Sequence, residues 1–180
     1  MELSTAAQWA EIIGLVTILG AAIYSYFQIN EMKKVREGAA SLSLAELLQS
    51  ADFAAGIIQV IEQPDDLDNW EKFKEYHGER WPQAFSIMTT WESLGAVVHR
   101  GDIDFYLVYD FFSGIVQQHH EKCQPLILSQ RETGGDTRFE WFTWLAEQFE
   151  EYEVNESAPM AAHLQYKAWR PPRKTERSRS

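Results

Sequence analysis

The sequence contains 180 residues, of which 45% are hydrophobic, 13% aromatic and 24% charged. This composition excludes disordered, low-complexity and collagen-like chains, because those lack the apolar side chains that build a core. The 27 acidic and 16 basic side chains give a net charge of −11, which argues against binding of nucleic acid by the chain as a whole. The single cysteine, Cys123, cannot form an intramolecular disulfide, so the folded part needs no oxidising compartment.

The charge is distributed unevenly along the chain. Residues 1–37 carry four acids and three bases, residues 38–154 carry 21 acids and seven bases, and residues 155–180 carry two acids and six bases. The net charges are therefore −1, −14 and +4. Together with the apolar pattern described next, they predict an anchor with a juxtamembrane helix over 1–37, a helical domain over 38–154 and a basic, disordered tail over 155–180.

The first part contains sixteen consecutive uncharged residues, from Ile12 to Phe27. Extended from Trp9 to Ile29, this segment would form a helix of about 31 Å, which matches the roughly 30 Å hydrocarbon thickness of a bilayer. A cleaved signal peptide is disfavoured because acidic rather than basic residues precede the run and no small-residue cleavage site follows it. A buried core helix is disfavoured because the run has no polar face. We therefore predict a transmembrane helix.

The basic side chains Lys33, Lys34 and Arg36 follow the apolar run, whereas no Lys or Arg precedes it. Positive side chains accumulate on the cytoplasmic side of membrane helices, so the C-terminal part is expected in the cytoplasm. The predicted location is the cell (inner) membrane, in a single pass with the N-terminus outside.

Small residues recur along one face of the predicted span at spacings of four, three, four and four. Such a face lets a second helix approach closely, which predicts a homo-oligomer or a membrane partner protein. The alternative is that small residues are simply common in membrane helices. The residues of this small face are Ala10, Gly14, Thr17, Ala21 and Ser25.

After the span the pattern is helical throughout, and strand signals are nearly absent. The fold class is therefore all-α, with one N-terminal transmembrane helix followed by a compact cytoplasmic bundle of about five helices. The first helix of the bundle is predicted to start at the capping box Ser43 and Glu46 and to stop at Gln63-Pro64, and the second to start at the capping-box spacing Asp68 and Glu71. The third is predicted to have Pro82 in its first turn, and the fourth to be capped by Asp102 or Asp104 and to kink or end at Pro125. A loop at Gly134-Gly135 and a capping box at Thr137 and Glu140 precede the last helix.

Four short motifs lie between Trp91 and Tyr152. They are E-x-L-G at Glu92 to Gly95, G-x-I-D at Gly101 to Asp104, Val108-Tyr109, and Pro125 followed six residues later by Arg131. With these motifs the chain resembles a family of bacterial helical proteins described as domain of unknown function 4760. The resemblance implies one N-terminal span and a helical cytoplasmic domain. It transfers no activity and no catalytic residue, because the family has none assigned.

Glu92 and Arg131 are the charged residues for which the sequence allows either a structural or a ligand-binding role. If both are partly buried, they are expected to form an ion pair, because an unpaired internal charge is strongly unfavourable. A polar pocket that also includes Tyr109 and Asp110 and holds a small ligand is the alternative, and simple exposure is the third.

His119 and Cys123 are four residues apart on one helical face and could both face a metal. A zinc site needs three or four ligands, however, and the other histidines have no ligand spacing. Both residues also lie on an apolar stripe, so core packing is favoured and neither a metal nor a cofactor is expected.

No nucleotide-binding or hydrolase motif occurs in the chain, and an enzyme is the less favoured class. We expect a membrane-anchored scaffold, regulator or accessory subunit that binds other proteins and possesses no catalytic residues. The rival hypothesis is a membrane-tethered sensor or enzyme that holds a small ligand. Membrane lipid is the other expected partner, contacted by the basic residues Lys33, Lys34, Arg36, Arg170, Arg173 and Lys174.

Overall fold

The structure is a computed structural model that describes residues 3–155 and 161–171, with the side chains of 3–13, 15, 16, 33, 34, 36 and 37 left out of the description. All regular secondary structure in these ranges is helical, which confirms the predicted all-α class. The helices are α1 Leu3–Gln49, α2 Ala51–Glu62, α3 Trp70–His77, α4 Trp81–His99, α5 Phe105–Gly134, α6 Glu140–Asn155 and α7 Ala162–Gln165, with a 3-10 helix at Gly78–Arg80.

Helix α1 is longer than predicted. It passes through Gly38, and it also contains Ser43 and Glu46, so the predicted capping box at these two residues is wrong. A glycine inside a helix costs only about 1 kcal/mol relative to alanine. The last turns of α1 regain this cost by packing, since Leu44 is buried in the core. The predicted boundary after residue 37 therefore lies within one continuous helix.

The chain breaks instead at Ser50, which has an extended backbone and whose Oγ accepts a hydrogen bond from the Phe53 backbone N–H at 3.4 Å. Within the described residues, no single helix has the length and apolar character to cross a bilayer; Gly38–Gln49 and Ala51–Glu62 meet the requirement only as a pair, across a bend of 68°. Phe53 and Val60 place one face of α2 in the core.

The starts of two helices are confirmed. Pro82 lies in the first turn of α4, where its missing N–H has no intrahelical partner to lose. Asp104 caps α5 by accepting a hydrogen bond from the Leu107 N–H at 2.9 Å. The turn before it contains Gly101 with a φ of 73°, a backbone conformation that side chains other than glycine rarely adopt.

One other predicted limit is wrong, and of the kink or end predicted at Pro125 the end does not occur. Helix α3 is capped by Asn69 rather than Asp68, and Asp68 instead forms an exposed ion pair with Lys72 at 3.0 Å. Helix α5 continues through Pro125 to Gly134. The residues directly after this proline, Leu126 and Ile127, are almost completely buried, so packing sustains the helix where local propensity would end it.

Helix α4 lies at the centre of the bundle and contacts α2, α3, α5 and α6. Its Trp91 is fully buried and makes ring contacts with Phe53 of α2 at 5.7 Å and with Phe112 of α5 at 5.4 Å between centroids. The core therefore forms around one aromatic side chain contributed by the central helix.

Two glycines let helices approach α4 closely. A Cβ at Gly56 of α2 would meet the Ile87 side chain of α4, and a Cβ at Gly95 of α4 would overlap the Trp141 backbone carbonyl of α6. The absence of a side chain at these positions sets the distances from α4 to α2 and to α6.

Candidate functional site

The polar residues singled out from the sequence meet at the loop between α5 and α6. Glu92 lies half-buried on α4, and its Oε2 accepts a hydrogen bond of 2.8 Å from the Phe142 backbone N–H. Phe142 belongs to the first turn of α6, where free N–H groups and the helix dipole favour a negative charge. The predicted capping box at Thr137 and Glu140 is wrong, because α6 begins at Glu140 itself and Glu92 of a different helix supplies the cap.

Arg131, on the last turn of α5, holds the same loop from the other side. Its guanidinium donates to the backbone oxygens of Arg138 at 3.0 Å and Phe139 at 3.2 Å, and to Thr143 Oγ1 at 2.8 Å. Phe139 has a φ of 54°, which is rare for a residue with a side chain. The arginine therefore stabilises a strained backbone at the entrance to α6.

The expected direct ion pair between Glu92 and Arg131 is absent from the described residues. The two side chains bind opposite features of one loop instead, the carboxylate an N–H group and the guanidinium carbonyl oxygens. This arrangement satisfies both partly buried charges with backbone dipoles rather than with each other.

The other two residues of the proposed pocket do not join them. The hydroxyl of Tyr109 donates to Glu153 Oε1 at 3.0 Å, and burial together with this carboxylate raises the pKa of Tyr109 to about 12. Asp110, on the same helix, is exposed to solvent. Glu92, Tyr109, Asp110 and Arg131 therefore do not line a common cavity.

His119 and Cys123 are fully buried, as expected for core side chains on the α5 stripe. Nδ1 of His119 accepts a hydrogen bond from Trp91 Nε1–H at 2.9 Å, which places the ring proton of the neutral form on Nε2. Burial lowers the pKa of His119 to about 4 and raises the pKa of the Cys123 thiol to about 12. A thiol with so high a pKa is a poor nucleophile and a poor metal ligand at neutral pH.

Gln63, predicted only to end a helix, is an organising residue that the sequence analysis missed. It is almost completely buried. Its Nε2 donates to the Lys122 carbonyl oxygen at 2.8 Å, and its Oε1 accepts a hydrogen bond from His77 Nε2–H at 3.1 Å. The network joins the α2–α3 connection to α5. Its only sequence signal was a polar residue at the end of an apolar stripe.

A cleft of about 430 Å³ lies between α5 and α6 and was also not predicted. Four of its eight lining residues are glutamates, although no group of three or more His, Cys, Asp or Glu side chains in the described ranges is arranged to hold a metal ion. Such a surface can attract a cationic group, because the negative electrostatic potentials of neighbouring carboxylates add. The lining residues are Gln117, His120, Glu121, Gln124, Ala146, Glu147, Glu150 and Glu153.

The predicted small face lies on α1, and its members Gly14, Thr17, Ala21 and Ser25 are exposed. The side chain of Ala10 lies outside the described part of the chain. The same is true of three of the predicted lipid-contacting side chains, Lys33, Lys34 and Arg36, and of the whole of residues Arg173 and Lys174. Arg170 is described and exposed.

The chain folds as a helical bundle with a long N-terminal helix, in which Glu92 and Arg131 hold the α5–α6 loop. Residues 13–149 match the family model described as "Domain of unknown function (DUF4760)", and the chain belongs to this family. The resemblance inferred from the sequence motifs is thereby confirmed. Neither the curated proteins nor the solved structures include a match to the chain.

Three of the four motifs that carried the resemblance serve the packing of α4, α5 and α6. In the first motif, Glu92 caps α6 and Gly95 admits its backbone. In the second, Gly101 turns the chain and Asp104 caps α5. Arg131, the end of the last motif, holds the α5–α6 loop. These residues therefore have structural roles that require no ligand.

Proposed function

We propose that the chain is a single-pass membrane protein whose cytoplasmic helical domain acts by binding other proteins, as a scaffold, regulator or accessory subunit. The exposed apolar surface of α1 carries this proposal. Its large apolar side chains each expose between 55 and 70% of their area, on all sides of the helix. They are Ile18, Leu19, Ile23, Tyr24, Tyr26, Phe27, Ile29, Met32 and Val35.

A bilayer is the environment that removes such a surface from water. Each square ångström of apolar surface taken out of water contributes about 25 cal/mol. The uncharged run continues towards the N-terminus through Ile12 and Ile13, whose side chains lie outside the described residues. Lys33, Lys34 and Arg36 follow it, which supports an N-terminus outside and a bundle in the cytoplasm.

Binding is favoured over catalysis by what the candidate polar residues contact. Glu92 and Arg131 are engaged with the α5–α6 loop, and Asp110 faces solvent. A ligand-holding site would need these groups to converge on one concave surface. The four residues named for the rival sensor or enzyme do not line a common cavity.

Alkaline extraction of membranes from cells that express the full chain tests the anchor. We expect the protein to remain in the membrane pellet, and the double substitution Ile18→Glu and Ile23→Glu to release it, because charges at the bilayer centre oppose insertion. The matched control is Ile58→Glu on α2, which is also exposed and should leave the protein in the pellet. Release of the unchanged protein by alkali would contradict the proposal.

Chemical cross-linking in mild detergent tests the small face. We expect dimers or larger assemblies of the full chain, and their loss on the double substitution Gly14→Leu and Ala21→Leu, which would separate two closely packed helices. Ile23→Leu on the opposite face is the control and should keep them. If only monomers without a partner span form, pairing through this face is ruled out.

A further inference from the structure

The segment of residues 161–171 exposes every one of its residues to solvent. It consists of α7 and a turn in which the Trp169 N–H donates to the Tyr166 carbonyl oxygen at 2.8 Å. Leu164, Tyr166 and Trp169 expose 55, 59 and 62% of their areas. The large apolar rings at the centre of the bundle, such as that of Trp91, are by contrast completely buried.

Two basic side chains alternate with these apolar ones. Lys167 and Arg170 give the segment a charge of +2, because no acidic residue lies between 161 and 171. The guanidinium of Arg170 donates to the carbonyl oxygens of Lys167 and Trp169, both within the segment. Within the described residues, neither basic side chain forms an ion pair with the acidic bundle.

Aromatic and basic residues in one exposed segment have the chemistry of a headgroup-binding surface. Tryptophan and tyrosine rings favour the membrane interface because one end is apolar and the other polar. Lysine and arginine are attracted to the negative potential of the cytoplasmic leaflet. The bundle has a net charge of −14 over residues 38–154 and would be repelled by that leaflet. Beyond Arg36, the C-terminal part is therefore the part of the chain whose net charge is complementary to the leaflet.

The bundle also lies close to the proposed bilayer. Along α1, Leu44 lies fifteen positions after Ile29, which ends the apolar segment, and it is the first core residue in chain order among those whose side chains are described. At about 1.5 Å per residue, this stretch of helix spans about 22 Å. The continuous helix therefore limits how far the bundle can lie from the proposed bilayer.

We propose that residues 161–171 bind anionic lipid headgroups of the membrane in which α1 is anchored. The segment forms a second contact with that membrane, with Leu164, Tyr166 and Trp169 entering the interface and Lys167 and Arg170 contacting phosphate groups. This inference rests on the proposed membrane location of α1. An acidic protein surface, including the cleft between α5 and α6, is the competing occupant.

The test uses the full chain in lipid nanodiscs, with a polarity-sensitive fluorophore at Ala168→Cys. The native Cys123 is completely buried and should not react, and unsubstituted protein controls for its labelling. A second labelled variant, Ala54→Cys on the exposed face of α2, reports a position expected to stay in water. Discs of phosphatidylcholine alone are compared with discs that also contain phosphatidylglycerol.

We expect the emission of the probe at 168 to shift to the blue only in the anionic discs, with the probe at 54 unchanged. The substitutions Lys167→Gln and Arg170→Gln each remove one positive charge. Each should lower the ratio of membrane-bound to free segment about fivefold. Trp169→Ser should also weaken binding to the membrane. Tyr76→Ser, which removes an exposed aromatic ring from the bundle, should not.

Two results would overturn the inference while leaving the anchor intact. One is a probe at 168 that stays in water in anionic discs. The other is a blue shift of equal size without anionic lipid: in neutral discs it would show that anionic headgroups are not required, and in lipid-free detergent it would place the segment against protein. Failure of the chain to enter discs, with release by alkali, would overturn the proposed function and this inference together.

Discussion

The tightest constraint on a single residue is the contact of Gly95 with α6. A methyl group there would overlap the Trp141 carbonyl oxygen, a backbone atom that cannot rotate away. The two helices would have to separate, and both carry buried core residues at this level, among them Trp91 and Phe142. The glycine thus determines how closely the central helix and α6 pack.

We therefore predict that Gly95→Ala lowers the free energy of unfolding by about 2 kcal/mol or more. Gly114→Ala is the matched control, since Gly114 is an exposed residue of α5 with no atom within 4 Å of an added Cβ. That change should raise the stability by about 0.5 to 1 kcal/mol, because alanine is the better helix former. Urea unfolding followed by circular dichroism measures both. Equal effects at the two positions would mean that the helices tolerate a wider spacing.

The sequence was informative about which residues matter and less so about what they contact. It singled out Glu92 and Arg131, because charged residues beside an apolar stripe need partners. Their partners are backbone groups of a loop, and Phe142 lies 50 residues away from Glu92 in the chain. Side-chain chemistry can identify an acceptor, but only the path of the chain shows which N–H group reaches it.

At the scale of the elements, the α5–α6 loop is held by two helices at once. Glu92 approaches from α4 and Arg131 from α5, and Thr143 links the arginine to the first turns of α6. Because both charges stabilise one conformation of the loop, the loss of either lets the loop move and weakens the other interaction.

This predicts a coupled response in a double-mutant cycle. Glu92→Ala and Arg131→Ala should each cost about 1 to 3 kcal/mol of stability, and the double variant should cost less than their sum by about 0.5 to 2 kcal/mol. Asp110→Ala, which removes an exposed charge, should change stability by less than about 0.5 kcal/mol. Strict additivity of the two single losses would show that the two side chains act on independent parts of the fold.

The helix limits show where local signals succeed. Asp104 and Pro82 act within a few residues of themselves, and their predicted positions are confirmed. At Ser43 and Pro125 the local signal is overridden, because buried residues next to them, Leu44 and Leu126, keep the helix in contact with the core. Packing of this kind depends on distant residues and leaves no mark within a short window of sequence.

At the scale of the whole molecule, two buried histidines make the fold sensitive to acid. Burial lowers the pKa of His77 and of His119 from about 6.5 to about 4. As the pH falls, the unfolded chain therefore takes up these protons before the folded chain does. The stability that the neutral rings contribute is fully present above pH 6.5 and is lost between about pH 6.5 and 4.

We expect the free energy of unfolding to fall by about 2 kcal/mol between pH 7 and 5 for His119 alone, and further for His77. Urea titrations across this range measure the change. His77→Gln removes one of the two buried rings and should reduce the slope of stability against pH. A stability that does not change between pH 7 and 5 would mean that the buried rings take up protons without unfolding.

The all-α fold class could be predicted from helical periodicity alone. The apolar residues that recur at helical spacing after Gly38 form the buried faces of the helices. The cleft between α5 and α6 could not be predicted in the same way. Glu121 and Glu147 are 26 residues apart and meet only because two helices pack side by side. A surface of this kind arises from the assembly of elements and is absent from each of them.

Helix α1 runs without a break from Leu3 to Gln49, so no swivel separates the proposed span from the bundle. A rotation of the proposed span about its own axis would therefore be transmitted through α1 to the bundle. One residue inserted into α1 would turn the bundle by about 100° and raise it by about 1.5 Å. The direction in which the bundle faces about the axis of the proposed span is therefore determined by the number of residues in α1.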